Sequence, residues 1–493
     1  MFAAPNTIQE DALITARYAR NLATGHGLVY NVGERVLGTT TPAWAILTAW
    51  IFWIPVPPHL QAMLIQVFGC LVLYAAFRVL VTGTVFSSVM PRAMFLASLG
   101  VVPALSAAAI AGMETTAVML CVALLWQSLC SGSAAPSDWW RRAGLSVLLL
   151  FLRLDSVWVL VAVFTAFVIV GGPRALGAGS RSGFVGVLAA VAGFLACWCA
   201  FSYAYYGHVI PQSMMAKTRL SYADGRVPVD PLRWVRTMVE LLGLDYPWPS
   251  RLRAIHPDAW WTAVWVGAIG LAWTYSRRNR SARILLLASV IYLASFSLFL
   301  SVGQATVYPW YTHVATFLTA GSVLMTLVTS GKARVAQIGL AALLVGFLAM
   351  GALNVRGLMT RGNPEHAALR AVGQRLQEVR AASVMLEPIG YVGFYSSAPV
   401  IYDLGGLVSP DVFALRRTGE PGWFAVAVHR LRPDYVVLRA GEVEQNVGFN
   451  VGQLFRSTDE RSWWDQHYGE VEAVGEKPGR LSRLVIYKKI SGP

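Results

Sequence analysis

The sequence predicts a polytopic α-helical membrane protein with a C-terminal α/β domain outside the bilayer. Of 493 residues, 56% are hydrophobic and 13% charged, and the mean hydropathy is +0.52, too apolar for a string of soluble domains. Roughly ten apolar runs approach the length needed to cross about 30 Å of hydrocarbon. After Arg356 the composition turns to that of an ordinary soluble domain. The same figures exclude a disordered tail or a collagen. Cys70, Cys121, Cys130, Cys197 and Cys199 all lie in apolar runs, which excludes a disulfide-stapled secreted module. The net charge of +14 is scattered in short clusters between apolar segments. Topology accounts for it better than a nucleic-acid partner does.

Taken in order, residues 1–58 are expected to form a first external loop with interfacial helices. Gln9 to Leu22 has amphipathic spacing, with Leu13, Ile14, Arg17, Tyr18 and Leu22 on one side and the acidic pair Glu10-Asp11 at its start. Such a pair suits the first turn of a helix through the macrodipole, so a capping role competes with a chemical one. The glycines and prolines between Gly25 and Pro42 suit a fixed irregular path. Pro42 to Ile54 is apolar, short and stopped by Pro55 to Pro58, which reads as a helix lying in the interface.

Residues 59–356 are expected to form the transmembrane core, about ten helices near 59–82, 91–111, 114–131, 143–152, 156–171, 184–205, 259–276, 282–302, 310–329 and 334–355. Alternate loops collect Arg78 and Arg92, Arg141 and Arg142, Arg174 and Arg181, Arg277 to Arg283, and Lys332 with Arg334, which places that set in the cytoplasm. Both ends of the chain then lie outside. Met1 to Glu10 has no basic start and no long apolar core, so a further apolar helix upstream of Met1 is expected to deliver the first loop there. Residues 357–493 read as a helix at 364–382 followed by short strands at 384–386, 400–402, 435–438 and 484–487, with a helix at 421–431 between the second and third.

Several polar residues interrupt the apolar runs. Arg153 and Asp155 sit between two of them, where an unpaired charge costs about 2.5–3.5 kcal/mol on insertion scales; they either neutralise one another or hold a ligand. Glu114 follows Gly112 at a helix start, where capping is the simpler reading. His208, Lys217 and Arg219 cluster just beyond the aromatic exit Tyr205-Tyr206, and a lipid phosphate is the natural partner of such cations. Tyr308, Trp310 and His313 form either an interfacial belt or a wall for a sugar ring. No HExxH, paired CxxC, calcium loop or phosphate-cradling glycine loop is present in the sequence.

These blocks resemble a known family. Glu10 to Thr15, Arg17 to Leu22, Gly25 to Asn31, Gly33 to Val36 and Gly38 to Pro42 are similar to the first external loop of bacterial GT-C membrane glycosyltransferases. The resemblance is strongest to the branch with the mycobacterial terminal arabinofuranosyltransferases, and more distant to protein O-mannosyltransferases and lipid A aminoarabinose transferases. Gly112 to Thr115, Tyr205 to Gly207 with Pro211 and Ala216-Lys217, Ile389 to Tyr391 and Tyr402 to Pro410 resemble later blocks of the same branch.

The resemblance implies transfer of a sugar from a polyprenyl-phosphate donor to an envelope glycan, lipid or protein outside the bacterial cytoplasmic membrane, with inversion. It implies a catalytic base in Glu10-Asp11, Asp11 being favoured, and donor-phosphate contacts from Lys217 and Arg153, with Arg219 and His208 less central. Glu114, Arg17, Tyr308, Trp310 and His313 are the implied acceptor- or sugar-binding residues. No cofactor and no metal site are expected; the partners are the lipid-linked donor, the acceptor and membrane lipid. Two other readings compete: a lipid or sugar transporter or flippase, which should carry charged or broken-helix features at mid-membrane, and an envelope-assembly scaffold without activity.

Overall fold

The computed structural model describes residues 6–84, 89–133, 135–172, 178–219, 231–242, 257–277, 279–303, 307–330, 334–361, 363–475 and 483–490. Two compact units emerge, and neither is continuous in sequence. One comprises Met1–Ile65, Cys199–Arg226 and Gly357–Pro493; the other Gln66–Trp198 and Val227–Arg356. The expected division at 58 and 356 therefore differs, because the first loop and the terminal domain share one folded unit.

The helical unit follows the apolar runs. Among the described residues five helices are long and apolar enough to cross a membrane: Pro58–Thr82, Leu154–Gly171, Ser180–Tyr206, Arg280–Val302 and Pro309–Thr329. The bent pair Val89–Gly100 and Pro103–Ala111 passes the same length and composition test when taken together, as a broken span or a re-entrant loop. The chain is thus a multi-pass membrane protein. The expected single run at 91–111 bends by 66°, since Pro103 disfavours helical geometry at Val102, whose ψ is 114°. The run at 143–152 belongs to a longer helix, Pro136–Leu152. That extension draws in Arg142, which is buried, donates to Ser128 and Ser133 and packs over Trp139. It is a bonded core residue, not the free loop cation its sequence position suggests.

The other unit carries a five-stranded mixed sheet. Its strands are β1 (Ser383–Leu386), β2 (Val400–Asp403), β3 (Tyr435–Arg439), β6 (Tyr468–Val474) and β7 (Leu484–Lys489), in the order β2-β1-β3-β7-β6. A separate hairpin pairs β4 (Val447–Gly448) with β5 (Gly452–Gln453). β1 runs parallel to both β2 and β3, and β7 is antiparallel to β3 and β6. Every residue of β3 is buried, as expected of a central strand covered on both faces. Phe424, Phe455 and Trp464 fill the core beside it, with ring centroids 5.8–6.1 Å apart. The helix Pro364–Glu378 starts where Asn363 accepts from Glu365 N and His366 N, with Pro364 at its first position.

The first helix, Glu10–Ala23, packs in this same unit against the short helix Gly390–Tyr395. The Pro42–Thr48 helix and the 3₁₀ turn Ala49–Trp53 follow. They expose Ile46, Leu47, Trp50 and Trp53, an apolar face suited to the bilayer interface.

Candidate active site

In the sheet-bearing unit the conspicuous feature is how the first helix is bonded to the terminal domain. Arg17 is buried, and its guanidinium donates to four backbone carbonyls: Tyr30 O, Gly393 O and Ala398 O at 2.8 Å and Pro399 O at 3.4 Å. Arg20 adds bonds to Phe394 O and Gly393 O. Tyr30 donates to Ile389 O and Tyr391 to Ile8 O. Asn31 exchanges two 3.0 Å bonds with Ile401, which covers the free edge of β2. Arg17, expected at a sugar, is committed to carbonyls that the chain would otherwise bury unpaired.

The acidic pair divides. Glu10 does not cap its own helix, whose N-cap Gln9 also makes no side-chain capping bond. Its carboxylate accepts from Gly390 N and Tyr391 N at the start of the Gly390–Tyr395 helix. A side chain at position 390 would collide with Glu10 O and its carboxylate, so only glycine fits. Burial pushes the Glu10 carboxyl up to about 8, while the two N–H bonds pull it down. Asp11 is half-buried on the same first turn; consecutive helical positions point about 100° apart.

Blocks far apart in sequence meet in this unit. Gln212 donates to Gly406 O at 2.8 Å, and Tyr206 to Leu28 O at 3.0 Å. A side chain at Gly38 would come within 2.6–2.8 Å of Val408, Tyr18 and Leu407 O, so that glycine serves close approach. Asp403, at the end of β2, accepts from Gly405 N at 2.7 Å and Leu407 N at 2.5 Å and so fixes the turn that meets them. Burial pushes its carboxyl up to about 7, against the pull of those N–H groups. His208 is exposed just past Gly207. The side chains of Lys217 and Arg219 lie outside the described residues.

In the helical unit, Arg153 is buried and clamped. It donates through Nη1 to Glu114 at 2.5 Å, and through Nε and Nη2 to the two oxygens of Asp155 at 2.8 and 2.5 Å. Glu114 is buried and makes no capping bond, so the simpler reading of it is overturned. One guanidinium facing two carboxylates leaves the trio with an excess of one negative charge when all are ionised. Arg153 also lies 5.3 Å from the centre of the Tyr311 ring. Tyr308 and Trp310 stack on each other at 4.5 Å with planes 6° apart, so no sugar ring enters between them. His313 is buried, and its Nδ1 has no hydrogen-bond partner among the described residues. Neither Glu114's ion pair nor Glu10's attachment to a distant helix carried a sequence signal beyond the presence of the acid. Among the described residues, no three His, Cys, Asp or Glu side chains converge as metal ligands.

The chain shares its fold with solved structures of ArnT. The chain is similar to the crystal structure of ArnT from Cupriavidus metallidurans in the apo state, with a TM-score of 0.58 and 11% identity over 98% of this chain and 94% of that one. It is equally similar to ArnT bound to undecaprenyl phosphate, with a TM-score of 0.59 and 13% identity over 100% and 97% of the two chains. In sequence it is 33% identical over 132 residues to a terminal beta-(1->2)-arabinofuranosyltransferase of Mycobacterium tuberculosis (strain ATCC 25618 / H37Rv). That match covers 24% of this chain and 20% of the relative, so the chain spans about a fifth of that protein's length. Residues 356–487 match a family described as a domain of unknown function (DUF8728).

Proposed function

We propose that this protein is a membrane glycosyltransferase that moves a sugar from a polyprenyl-phosphate donor to an envelope acceptor on the outer side of the cytoplasmic membrane. The observation that supports the reading most is the likeness along the whole chain to a transferase structure holding undecaprenyl phosphate. The sequence likeness to an arabinofuranosyltransferase favours a pentose as the sugar.

Asp11 is the base. It removes the proton from the acceptor hydroxyl as that oxygen attacks the anomeric carbon; the bond to the carrier phosphate breaks on the opposite face, and inversion follows. A lipid phosphate leaves as an anion and needs cations rather than a general acid. Lys217 with Arg219 and His208 fill that role. Arg153 does not, because its charge is already balanced by Glu114 and Asp155. Glu10 is a positioning residue that holds the first helix to the Gly390–Tyr395 helix. No metal enters the scheme, and a chelator is expected to leave the rate unchanged. The test is mass spectrometry of envelope glycans and lipid-linked sugars from a deletion strain. Loss of one terminal sugar with accumulation of its lipid-linked form is the expected result; unchanged glycans would favour a carrier or scaffold.

A further inference from the structure

The carboxyl ends of the parallel strands in the terminal domain hold a second polar constellation that this reaction does not use. The chain leaves β1 towards β2 on one side and returns to β3 on the other. Adjacent strands whose connections diverge in this way leave a crevice at their carboxyl ends, the usual ligand position in open α/β sheets. Glu387 follows β1 there and Arg439 ends β3.

Both residues carry an unmet polar atom. Glu387 Oε1 accepts from Asn450 at 3.0 Å, but Oε2 is buried without a partner among the described residues. Arg439 is 6% exposed; its Nη2 pairs with Glu365 at 3.1 Å, while its Nε is buried and also unpartnered. Its guanidinium packs 3.9 Å from the centre of the Phe449 ring, which is 44% exposed at the rim. A buried donor and a buried acceptor that both lack partners are costly. Glu387 and Arg439 are close enough to interact electrostatically, yet no ion pair forms between them. A hydroxyl group both donates and accepts, so it satisfies the pair at once. Asp403 and Glu442 add further acid around the crevice and Arg416 a second cation, so that with Glu387 and Glu365 four carboxyls face two guanidiniums, which disfavours an anionic ligand.

We propose that this crevice binds a neutral, hydroxyl-rich saccharide, its hydroxyl bridging Glu387 and Arg439 and its C–H face lying on Phe449. On the transferase reading, on which the choice of sugar rests, the saccharide is a distal stretch of the acceptor glycan. The experiment is saturation-transfer NMR on the full-length protein in detergent, with an arabinofuranosyl hexasaccharide and mannohexaose as probes. Wild type and Asp11→Asn are expected to bind one probe alike. Glu387→Gln is expected to bind it about tenfold more weakly, and so is the exposed-site variant Phe449→Ala, which leaves the buried core intact. Binding of neither probe, or equal binding by both variants and wild type, overturns the proposal and leaves water as the bridging group. Because binding is read without turnover, lost transfer with intact Glu387-dependent binding would sink the transferase reading alone. Intact transfer with variant-insensitive binding would sink this inference alone.

Discussion

Two buried arginines, one in each unit, are satisfied in opposite ways. Arg17 satisfies its guanidinium with four backbone carbonyls, three of them 376–382 positions away in sequence, whereas Arg153 is held by two carboxylates. A carbonyl belongs to every residue and leaves no mark in the sequence; a carboxylate does. The first arrangement therefore fastens a loop to a domain invisibly, and the second announces itself as charge inside an apolar run.

The difference predicts how each unit breaks. Arg17→Met should destabilise the sheet-bearing unit by about 3–5 kcal/mol, because several buried carbonyls lose their donor together. No single second substitution should restore it. Arg153→Met should be of similar size, about 3–5 kcal/mol, since two carboxylates then face each other unpaired. Here Glu114→Gln in the same chain should recover a large part. Thermal unfolding in detergent measures all three; recovery of Arg17→Met by one partner change, or none for Arg153→Met, would collapse the distinction.

A smaller effect appears with pH. The ordinary values are 4.5 for Glu10 and 3.8 for Asp403, and burial in the fold raises them to about 8 and about 7. Between those limits the folded chain holds protons that the unfolded chain has released, so stability falls as pH rises. The melting temperature should decline from about pH 4 to 8, and Glu10→Gln, which stays neutral, should flatten the upper part of that decline. A profile that rises over this range, or an unaltered slope in the variant, would contradict the assignment. The exposed face of Ile46, Leu47, Trp50 and Trp53 offers the smallest test. Trp50→Ser with Trp53→Ser should weaken retention in lipid nanodiscs while changing the unfolding free energy by less than about 1 kcal/mol.

Much of this fold was legible in the sequence. Strands β1, β2, β3 and β7 stood out as short β-branched runs, and the apolar segments marked the helices. β6 did not, because Glu470 and Glu472 break its alternation beside a bulge. The site was legible in part. The acidic pair and Arg153-Asp155 stood out by residue type; of the expected cation cluster, the side chains of Lys217 and Arg219 lie outside the described residues. The attachment of Glu10 was not legible, because its partners are the backbone N–H groups of Gly390 and Tyr391, and backbone partners depend on the fold alone. Gly38 was expected to serve an irregular connection, yet it serves close approach, as Gly390 does.

The proposed division of roles, Asp11 as base and Glu10 as positioning residue, is the centre of the account. The direct test is mass spectrometry of envelope glycans from the deletion strain complemented with wild type, Asp11→Asn or Glu10→Gln, each matched for membrane expression. Asp11→Asn is expected to restore no terminal sugar and to leave the lipid-linked form accumulated, a loss of about 10²–10⁴ in rate. Glu10→Gln, whose amide oxygen still accepts from Gly390 N and Tyr391 N, is expected to restore the sugar. Full complementation by Asp11→Asn, or failure of a stably expressed Glu10→Gln beside a working Asp11→Asn, would contradict it.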